Sequence, residues 1–153
     1  MEFARLVKRD RESLAKTLSD ETGKPIKEAL AEIDNIQIGV PAYVEKAKHD
    51  YGNVLYRGTE AGQENTIQYT IQQPLGVMVA IIPFNFPSDI FINKIPPALI
   101  MGNSCILKPA SVNPLTLTKY VELLIEAGVP AGVISVVHGS GSVVGKALTT
   151  NKK

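Results

Sequence analysis

Asn85 is the residue of this sequence whose position most clearly indicates a chemical role. It lies within Pro83-Phe84-Asn85-Phe86-Pro87, directly after the apolar run of residues 77–82. Such a run, stopped by a proline, is typical of a buried strand that ends abruptly. The two prolines restrict the backbone on both sides of Asn85. Because ligands of open α/β sheets bind at the carboxyl ends of strands, Asn85 either makes an ordinary turn or donates an N–H to a developing oxyanion.

A cation follows the next apolar segment. Residues 104–107 are short and β-prone, and they lead into Lys108-Pro109-Ala110-Ser111. If the two strands are parallel, Lys108 lies at the same sheet edge as Asn85. The alternative is an ordinary lysine at a strand end in solvent, which is the usual environment of this residue type.

A glycine-rich segment, Gly139-Ser140-Gly141-Ser142-Val143-Val144-Gly145, follows the third strand-like run. The last gap between its glycines is three residues, so it does not match the dinucleotide-binding fingerprint. Glycines ahead of a helix still permit the close approach of a ligand. Ser142 is predicted to cap that helix.

Two helices and one exposed strand are predicted ahead of these segments. Residues 2–22 have the apolar spacing of a helix, which Gly23 ends in a left-handed conformation. Pro25 is expected to open a second helix and Pro41 to kink or interrupt it. A loop region follows, marked by Gly52, Gly58 and Gly62. Alternation of apolar and polar residues over 66–72 then predicts a half-exposed strand.

The rest of the chain has the pattern β-α-β-α-β-α. The predicted strands are residues 77–82, 104–107 and 133–137, and the predicted helices are residues 88–101, 114–127 and 142–149. This alternation implies an α/β fold with a parallel sheet. Ser88 is expected to cap the first helix, Asn113 with Pro114 to begin the second, and Gly128 to end it.

The overall composition is typical of a globular protein and gives no sign of nucleic-acid binding or of a membrane span. The 153 residues are 44% hydrophobic and 20% charged, as is ordinary for a globular protein. The net charge of +1 gives no reason to expect a nucleic-acid partner, and no apolar stretch is long enough to span a membrane. A single cysteine excludes an internal disulfide and, without a secretory signal, predicts a cytoplasmic location.

No metal site is predicted. Cys105 lies inside the segment 104–107, where a thiol is expected to be buried and unreactive, with a raised pKa. His49 and His138 are solitary and are interpreted as structural or surface residues.

Several of these motifs resemble one known family. Residues 74–145 are similar to the coenzyme-binding domain of the aldehyde dehydrogenase superfamily, and the segment Glu21-Thr22-Gly23-Lys24-Pro25 also matches. The matching pieces are Pro83-Phe84-Asn85-Phe86-Pro87, Lys94-Ile95-Pro96-Pro97-Ala98-Leu99, Gly102-Asn103, Leu107-Lys108-Pro109-Ala110 and Gly128-Val129-Pro130-Ala131-Gly132-Val133. Each is weak alone, and their order and spacing make the resemblance specific.

The resemblance implies roles for individual residues. Asn85 would stabilise the oxyanion that forms when a thiolate attacks an aldehyde, and Lys108 would bond the adenosine ribose of NAD or NADP. Relatives carry a glutamate where this chain has Ser111, and that glutamate binds the ribose hydroxyls and repels a 2′-phosphate. Neutral Ser111 therefore permits NADP. The coenzyme-binding residues expected from the resemblance are Ile81, Ile82, Pro83, Phe84, Lys108, Pro109, Ala110, Ser111, Gly141, Ser142 and Gly145.

The resemblance also implies how the chain is organised. We expect an incomplete coenzyme-binding domain: a helical layer (1–52), a loop and strand of the oligomerisation region (53–73), and the first half of a Rossmann-like sheet (74–153). The family's nucleophilic Cys and general-base Glu lie further downstream, so the chain is expected to be a fragment that is inactive alone. The parent would be a homo-oligomer that acts on a small aldehyde.

Two alternatives stay open at this stage. The first is a non-catalytic module that binds nucleotide or oligomerises. The second is part of a sister enzyme that is reductive or acylates coenzyme A.

Overall fold

The computed structural model describes residues 1–50, 52–56 and 61–151. Three helices come first: α1 (Glu2–Arg9), α2 (Arg11–Thr22) and α3 (Ile26–Ala47). A two-stranded ladder follows, formed by β1 (Val54–Leu55) and β2 (Gln68–Tyr69). The rest comprises β3 (Val77–Ile81), α4 (Pro87–Ile100), β4 (Ser104–Lys108), α5 (Leu115–Glu126), β5 (Ile134–Val136), a π-helical turn (Gly141–Gly145) and α6 (Lys146–Thr150). Gly58, expected in the loop region, lies outside the described residues.

The sheet has the predicted topology. Its three strands are parallel in the order β3-β4-β5, and each begins and ends within two residues of its predicted bounds. Helix α4 packs on β3 and β4, α5 packs on β5, and the helices α1 to α3 cover α4 and α5. The core therefore lies between the sheet and two helical layers. The α/β fold class is confirmed.

The first predicted helix is in fact two. Asp10 leaves the helical region, with φ −100° and ψ 15°, and separates α1 from α2. A short polar side chain adopts such non-helical conformations readily. Val7 and Leu14, on either side of the break, are both fully buried, so the break allows both helices to contribute to one core. Gly23 ends α2 with φ 74°, as predicted.

Helix α3 differs from its prediction at Pro25, and it continues through Pro41. Pro25 precedes the helix in an extended conformation, with φ −56° and ψ 140°. Pro41 does not interrupt the helix, which continues to Ala47. Ile33, Ile36 and Val40 are buried against the other helices, and this packing outweighs the local cost of a proline.

The strand predicted at 66–72 is mostly irregular. Only Gln68 and Tyr69 pair, in antiparallel fashion, with Leu55 and Val54. Both faces are exposed: on the apolar face the exposed fraction is 71% for Ile67 and 68% for Tyr69, and Gln68 on the polar face is exposed as well. The apolar face that was expected to be buried is therefore exposed among the described residues. The alternating pattern is nevertheless typical of strands that pack one face against a core.

The predicted caps of α4 and α5 are both wrong. Phe86 precedes α4, and the N–H of Ser88 donates instead to Glu32. At the start of α5, the N–H groups of Leu115 and Thr116 donate to Glu21 rather than to Asn113.

Near the chain end, Ser140 caps the π-helical turn by accepting from the N–H of Val143, and Ser142 lies within the turn. The predicted helix 142–149 is therefore this turn followed by the shorter α6. Gly128 ends α5 with φ 96°, as predicted.

Candidate active site

The turns that carry Asn85 and Lys108 begin side by side. In the parallel sheet Ile81 pairs in register with Lys108. The N–H of Ile82 then donates to the carbonyl of Lys108 at 2.9 Å. This places both turns at the carboxyl edge of the sheet, as the sequence predicted for parallel strands.

The backbone around Asn85 is held by three different parts of the fold. The carbonyl of Phe84 accepts from Asn113 Nδ2 at 3.0 Å. The carbonyl of Asn85 accepts from Lys24 Nζ at 3.2 Å, and the carbonyl of Phe86 accepts the first backbone bond of α4 at 3.0 Å. The Asn85 side chain is exposed and makes no hydrogen bond within the described parts of the chain. A fixed backbone thus presents a free amide.

Lys108 is a buried cation. Its side chain is only 3% exposed, and Nζ donates to the carbonyl of Pro109 at 2.9 Å. The stem lies beside Gly145, where a Cβ would be 3.9 Å from Lys108 Cε. Among the described residues the ammonium group forms no ion pair. Because a buried ammonium without an ion-pair partner is costly, this group is suited to binding an oxygen-rich ligand. The alternative of an ordinary solvent-exposed lysine at a strand end is wrong.

A single hydrogen bond joins the turn after β4 to the glycine-rich loop. Ser111 Oγ donates to the carbonyl of Gly139 at 2.9 Å. Gly139 has φ 145°, and a Cβ there would lie 2.5 Å from Val144 Cγ2, so only glycine fits. Gly141 has open space beside it, and Ser142 is exposed. The glycine-rich loop is therefore held at Gly139 by the bond from Ser111 and is exposed to solvent at Gly141 and Ser142.

Comparison with known proteins decides the family. The aldehyde dehydrogenase family model matches residues 1–153. The chain belongs to the aldehyde dehydrogenase family.

Characterised relatives within this family act on several aldehydes. The chain is 37% identical to a 3-sulfolactaldehyde dehydrogenase of Priestia aryabhattai over 152 residues, which are 99% of this chain and 32% of the relative. It is 40% identical to an NADP-dependent succinate-semialdehyde dehydrogenase of Escherichia coli, covering 95% of this chain and 30% of that enzyme. The chain therefore spans about a third of the length of these aldehyde dehydrogenases.

Solved aldehyde dehydrogenases confirm the fold. The NADP complex of a glyceraldehyde-3-phosphate dehydrogenase from Bacillus halodurans superposes with a TM-score of 0.93 at 34% identity, over 99% of this chain and 32% of that one. A betaine aldehyde dehydrogenase variant from Staphylococcus aureus, bound to NAD+, gives 0.89 at 32% identity, over 97% and 29%. The aldehyde dehydrogenases similar to this chain thus use either coenzyme.

The remaining residues expected to bind coenzyme fall into two groups. The side chains of Ile82 and Pro109 are buried in the core, so only their backbone can meet a ligand. The others lie at least partly at the surface of the same edge: Ile81, Pro83, Phe84 and Ala110. The eleven expected residues therefore come from the ends of three neighbouring strands, with Gly145 buried behind Lys108.

Sequence reasoning gave no role in holding this sheet edge to three residues that do hold it. Lys24 contacts the turn from the connection between α2 and α3, Glu32 contacts the start of α4 from α3, and Asn113 contacts the turn from the β4–α5 connection. Lys24 belongs to a segment already noted for its resemblance, but the motif gave it no role. Asn113 is 1% exposed, and its Oδ1 has no hydrogen-bond partner.

The lone cysteine is not part of the site. Cys105 is 2% exposed in the middle of β4, and burial raises the pKa of its thiol. The expectation of a core residue is confirmed. His49 lies at the surface beside Glu45, and His138 is exposed. The described residues contain no group of three potential metal ligands, and none of their helices is long and apolar enough to cross a bilayer.

Proposed function

We propose that this chain provides the oxyanion donor and part of the coenzyme cleft of an NAD(P)-dependent aldehyde dehydrogenase, which oxidises a small aldehyde to a carboxylate. The observation that carries the proposal is the pairing of two groups at one sheet edge. Asn85 offers a free amide, and Lys108 offers a buried ammonium with no carboxylate partner among the described residues. Both groups are hydrogen-bond donors. An anionic transition state needs such a donor at Asn85, and a ribose or phosphate oxygen of the coenzyme needs one at Lys108.

Asn85 would act on the carbonyl oxygen of the substrate. When a thiolate adds to an aldehyde, a C–S bond forms and the π electrons of the carbonyl move to oxygen. An amide N–H aimed at that oxygen stabilises the charge, and such a donor typically contributes about 3–4 kcal/mol to the transition state. The prolines and the three held carbonyls keep the Asn85 backbone in place before the charge develops.

Lys108, Ser111 and the glycine-rich loop would hold the coenzyme. The bound nicotinamide would supply the hydride acceptor. Lys108 Nζ has donors to spare for a ribose hydroxyl, and the open space at Gly141 admits a ligand close to the backbone. Because Ser111 is neutral and its hydroxyl is directed to Gly139, a 2′-phosphate meets no carboxylate from this side chain. We infer that NADP is accepted as well as NAD.

The thiolate and the general base would not come from these 153 residues. Cys105, the one cysteine, is buried in β4. We infer that the isolated chain has no turnover and that residues 1–52, 53–73 and 74–153 contribute a helical layer, an oligomerisation segment and half of a coenzyme domain. A homo-oligomeric, cytoplasmic parent enzyme is part of the same proposal.

A non-catalytic role has one observation in its favour. The ladder of β1 and β2 exposes apolar side chains, with Val54 80% exposed and Tyr69 68% exposed. Exposed apolar strands are suited to pairing with another chain. A module that binds nucleotide and oligomerises without turnover is therefore the second candidate.

Calorimetric titration of NAD and NADP into the chain tests the coenzyme part of the proposal. We expect saturable binding that Lys108→Ala abolishes. Lys146→Ala removes an exposed charge near the glycine-rich loop and is the matched control, expected to bind normally. Absence of binding at millimolar coenzyme, or equal loss in both variants, contradicts the proposal. Formation of NAD(P)H by the mass-verified chain alone would contradict the inferred lack of turnover.

A further inference from the structure

The Lys24 side chain connects the N-terminal helices to the turn that carries Asn85. Its Nζ forms an ion pair with Glu32, donates to the carbonyl of Asn85 at 3.2 Å, and lies 4.9 Å from the centre of the Phe86 ring. The Lys24 side chain is 12% exposed and that of Glu32 is 3% exposed. A largely buried cation thus contacts two consecutive residues of the turn.

Glu32 fixes the other side of the same turn. Its Oε1 accepts the N–H of Ser88 at 2.7 Å, in the first turn of α4. Ser88 Oγ in turn accepts from the hydroxyl of Tyr120 at 2.8 Å, and Tyr120 is fully buried. Through Lys24 and Glu32, the peptide of Asn85 and the start of α4 are held in one hydrogen-bonded network.

Stability alone does not explain this arrangement. Removing two charges from water offsets most of the attraction between them, and apolar replacements of buried ion pairs are often equally stable or more stable. What a hydrogen-bonded ion pair adds is direction, because its donors and acceptors fix the groups that they contact. Here the contacted group is the backbone of the residue proposed as oxyanion donor.

Oxyanion stabilisation depends on such fixed geometry. A donor contributes most when it is already in place as the charge develops, and misplacement by about 1 Å can reduce the rate by roughly 10²-fold. The Asn85 side chain is itself exposed and unbonded within the described residues. The backbone is therefore the part of Asn85 that the described fold holds in place.

We propose that Lys24 and Glu32 are positioning residues that hold the Asn85 turn ready to bind an oxyanion. The proposal rests on the proposed role of Asn85. Its test is a direct measurement of Asn85 itself, so a failure of the positioning network can be separated from a failure of Asn85 as a donor.

The experiment is NMR spectroscopy of the isotope-labelled chain, wild type and Lys24→Met. We expect the carbonyl carbon of Asn85 to shift upfield, as loss of a hydrogen bond requires, and the backbone amide of Asn85 to lose order. Lys24→Arg keeps the charge and the donors, so it should restore both signals. Urea unfolding of each variant reports global stability separately.

The matched control is Lys119→Met. Lys119 Nζ donates to Thr17 Oγ1 at 2.7 Å, which joins α5 to α2 away from the turn. This variant should leave the Asn85 signals unchanged. Unchanged Asn85 signals in Lys24→Met, or equal changes in Lys24→Met and Lys119→Met, would overturn the proposal.

Glu32→Gln covers the case in which Lys24→Met does not fold. Glutamine keeps an oxygen for the N–H of Ser88 but loses the charge that holds Lys24. We expect a shift of the Asn85 carbonyl signal with the Ser88 amide signal unchanged. An unaltered Asn85 carbonyl in this variant would equally overturn the proposal.

Discussion

The carboxylate of Glu21, near the end of α2, accepts the backbone N–H of Thr116 at 2.8 Å. It accepts the neighbouring N–H of Leu115 as well, at 2.7 Å. The first N–H groups of a helix have no partner within it, and α5 has no capping side chain of its own. Glu21 therefore caps a helix that lies more than ninety residues further along the chain. Glu32 caps α4 in the same way by accepting the N–H of Ser88.

Glu21→Ala should destabilise the chain through this cap. Loss of a side-chain cap typically costs about 1 kcal/mol, and the negative charge near a helix N-terminus adds a further favourable term. Urea unfolding measures the loss. Glu122→Ala, on the exposed side of α5, is the control and should change the unfolding free energy by less than about 0.5 kcal/mol. Equal effects of the two variants would contradict the capping role.

Ser111→Glu should change the choice of coenzyme. A carboxylate at this position would repel a 2′-phosphate, and we expect the ratio of the NADP to the NAD dissociation constant to rise at least tenfold, or about 1.4 kcal/mol. Calorimetry with both coenzymes measures the ratio. Ser111→Ala removes only the bond to Gly139 and should leave the ratio nearly unchanged. Equal weakening of both coenzymes by Ser111→Glu would show that charge at this position does not select between them.

Cys105 should resist alkylation in the folded chain. The thiol is buried in β4, and burial raises its pKa, so both access and the thiolate fraction are low. Iodoacetamide labelling at about pH 8 should be slow without denaturant and fast in urea, when followed by mass spectrometry. The denatured chain is the control for intrinsic reactivity. Labelling of the native chain at the denatured rate would contradict the core assignment.

Acid should weaken the contact between α2 and α3 at Asp34. Arg11 donates to both carboxylate oxygens, at 2.6 and 2.7 Å, and holds the pKa of Asp34 below its ordinary value of 3.8. A carboxyl whose pKa is lowered on folding stabilises the folded state above its unfolded pKa, and this contribution is lost as pH falls through the folded pKa.

Wild type should therefore lose more stability than Asp34→Asn as the pH falls from about 5 through 3.8 and below, measured by urea unfolding. Glu122→Gln, which changes an exposed carboxylate on α5, should follow the wild-type curve. The same acid dependence in Asp34→Asn as in wild type would rule out this ion pair as its source.

Local sequence signals predicted the frame of the site well. The apolar run before Pro83 and the one before Pro109 end at the same sheet edge, and Gly23 and Gly128 end their helices in left-handed conformations. These features depend on hydrophobic runs and on the backbone preferences of Pro and Gly, which act over a few residues.

Predictions of helix caps, which also rest on a few neighbouring residues, were wrong where distant groups compete for the same backbone N–H groups. Ser88 and Asn113 are suitable capping residues, yet the carboxylates of Glu32 and Glu21 took the helix N–H groups. Asp10 carries no clear break signal, but α1 and α2 separate there. A short range of sequence does not specify which distant acceptor will reach a helix end.

By itself, then, the sequence determined the order of strands and helices, the parallel sheet and the placement of Asn85 and Lys108 at one edge. These follow from the spacing of apolar residues and from rigid turns. Only the tertiary structure decided that Lys108 is buried without an ion pair among the described residues, and that Lys24 and Asn113 hold the backbone beside Asn85. The reason is physical: burial and hydrogen bonds between residues 29 and 61 positions apart exist only once the helical layers have packed on the sheet.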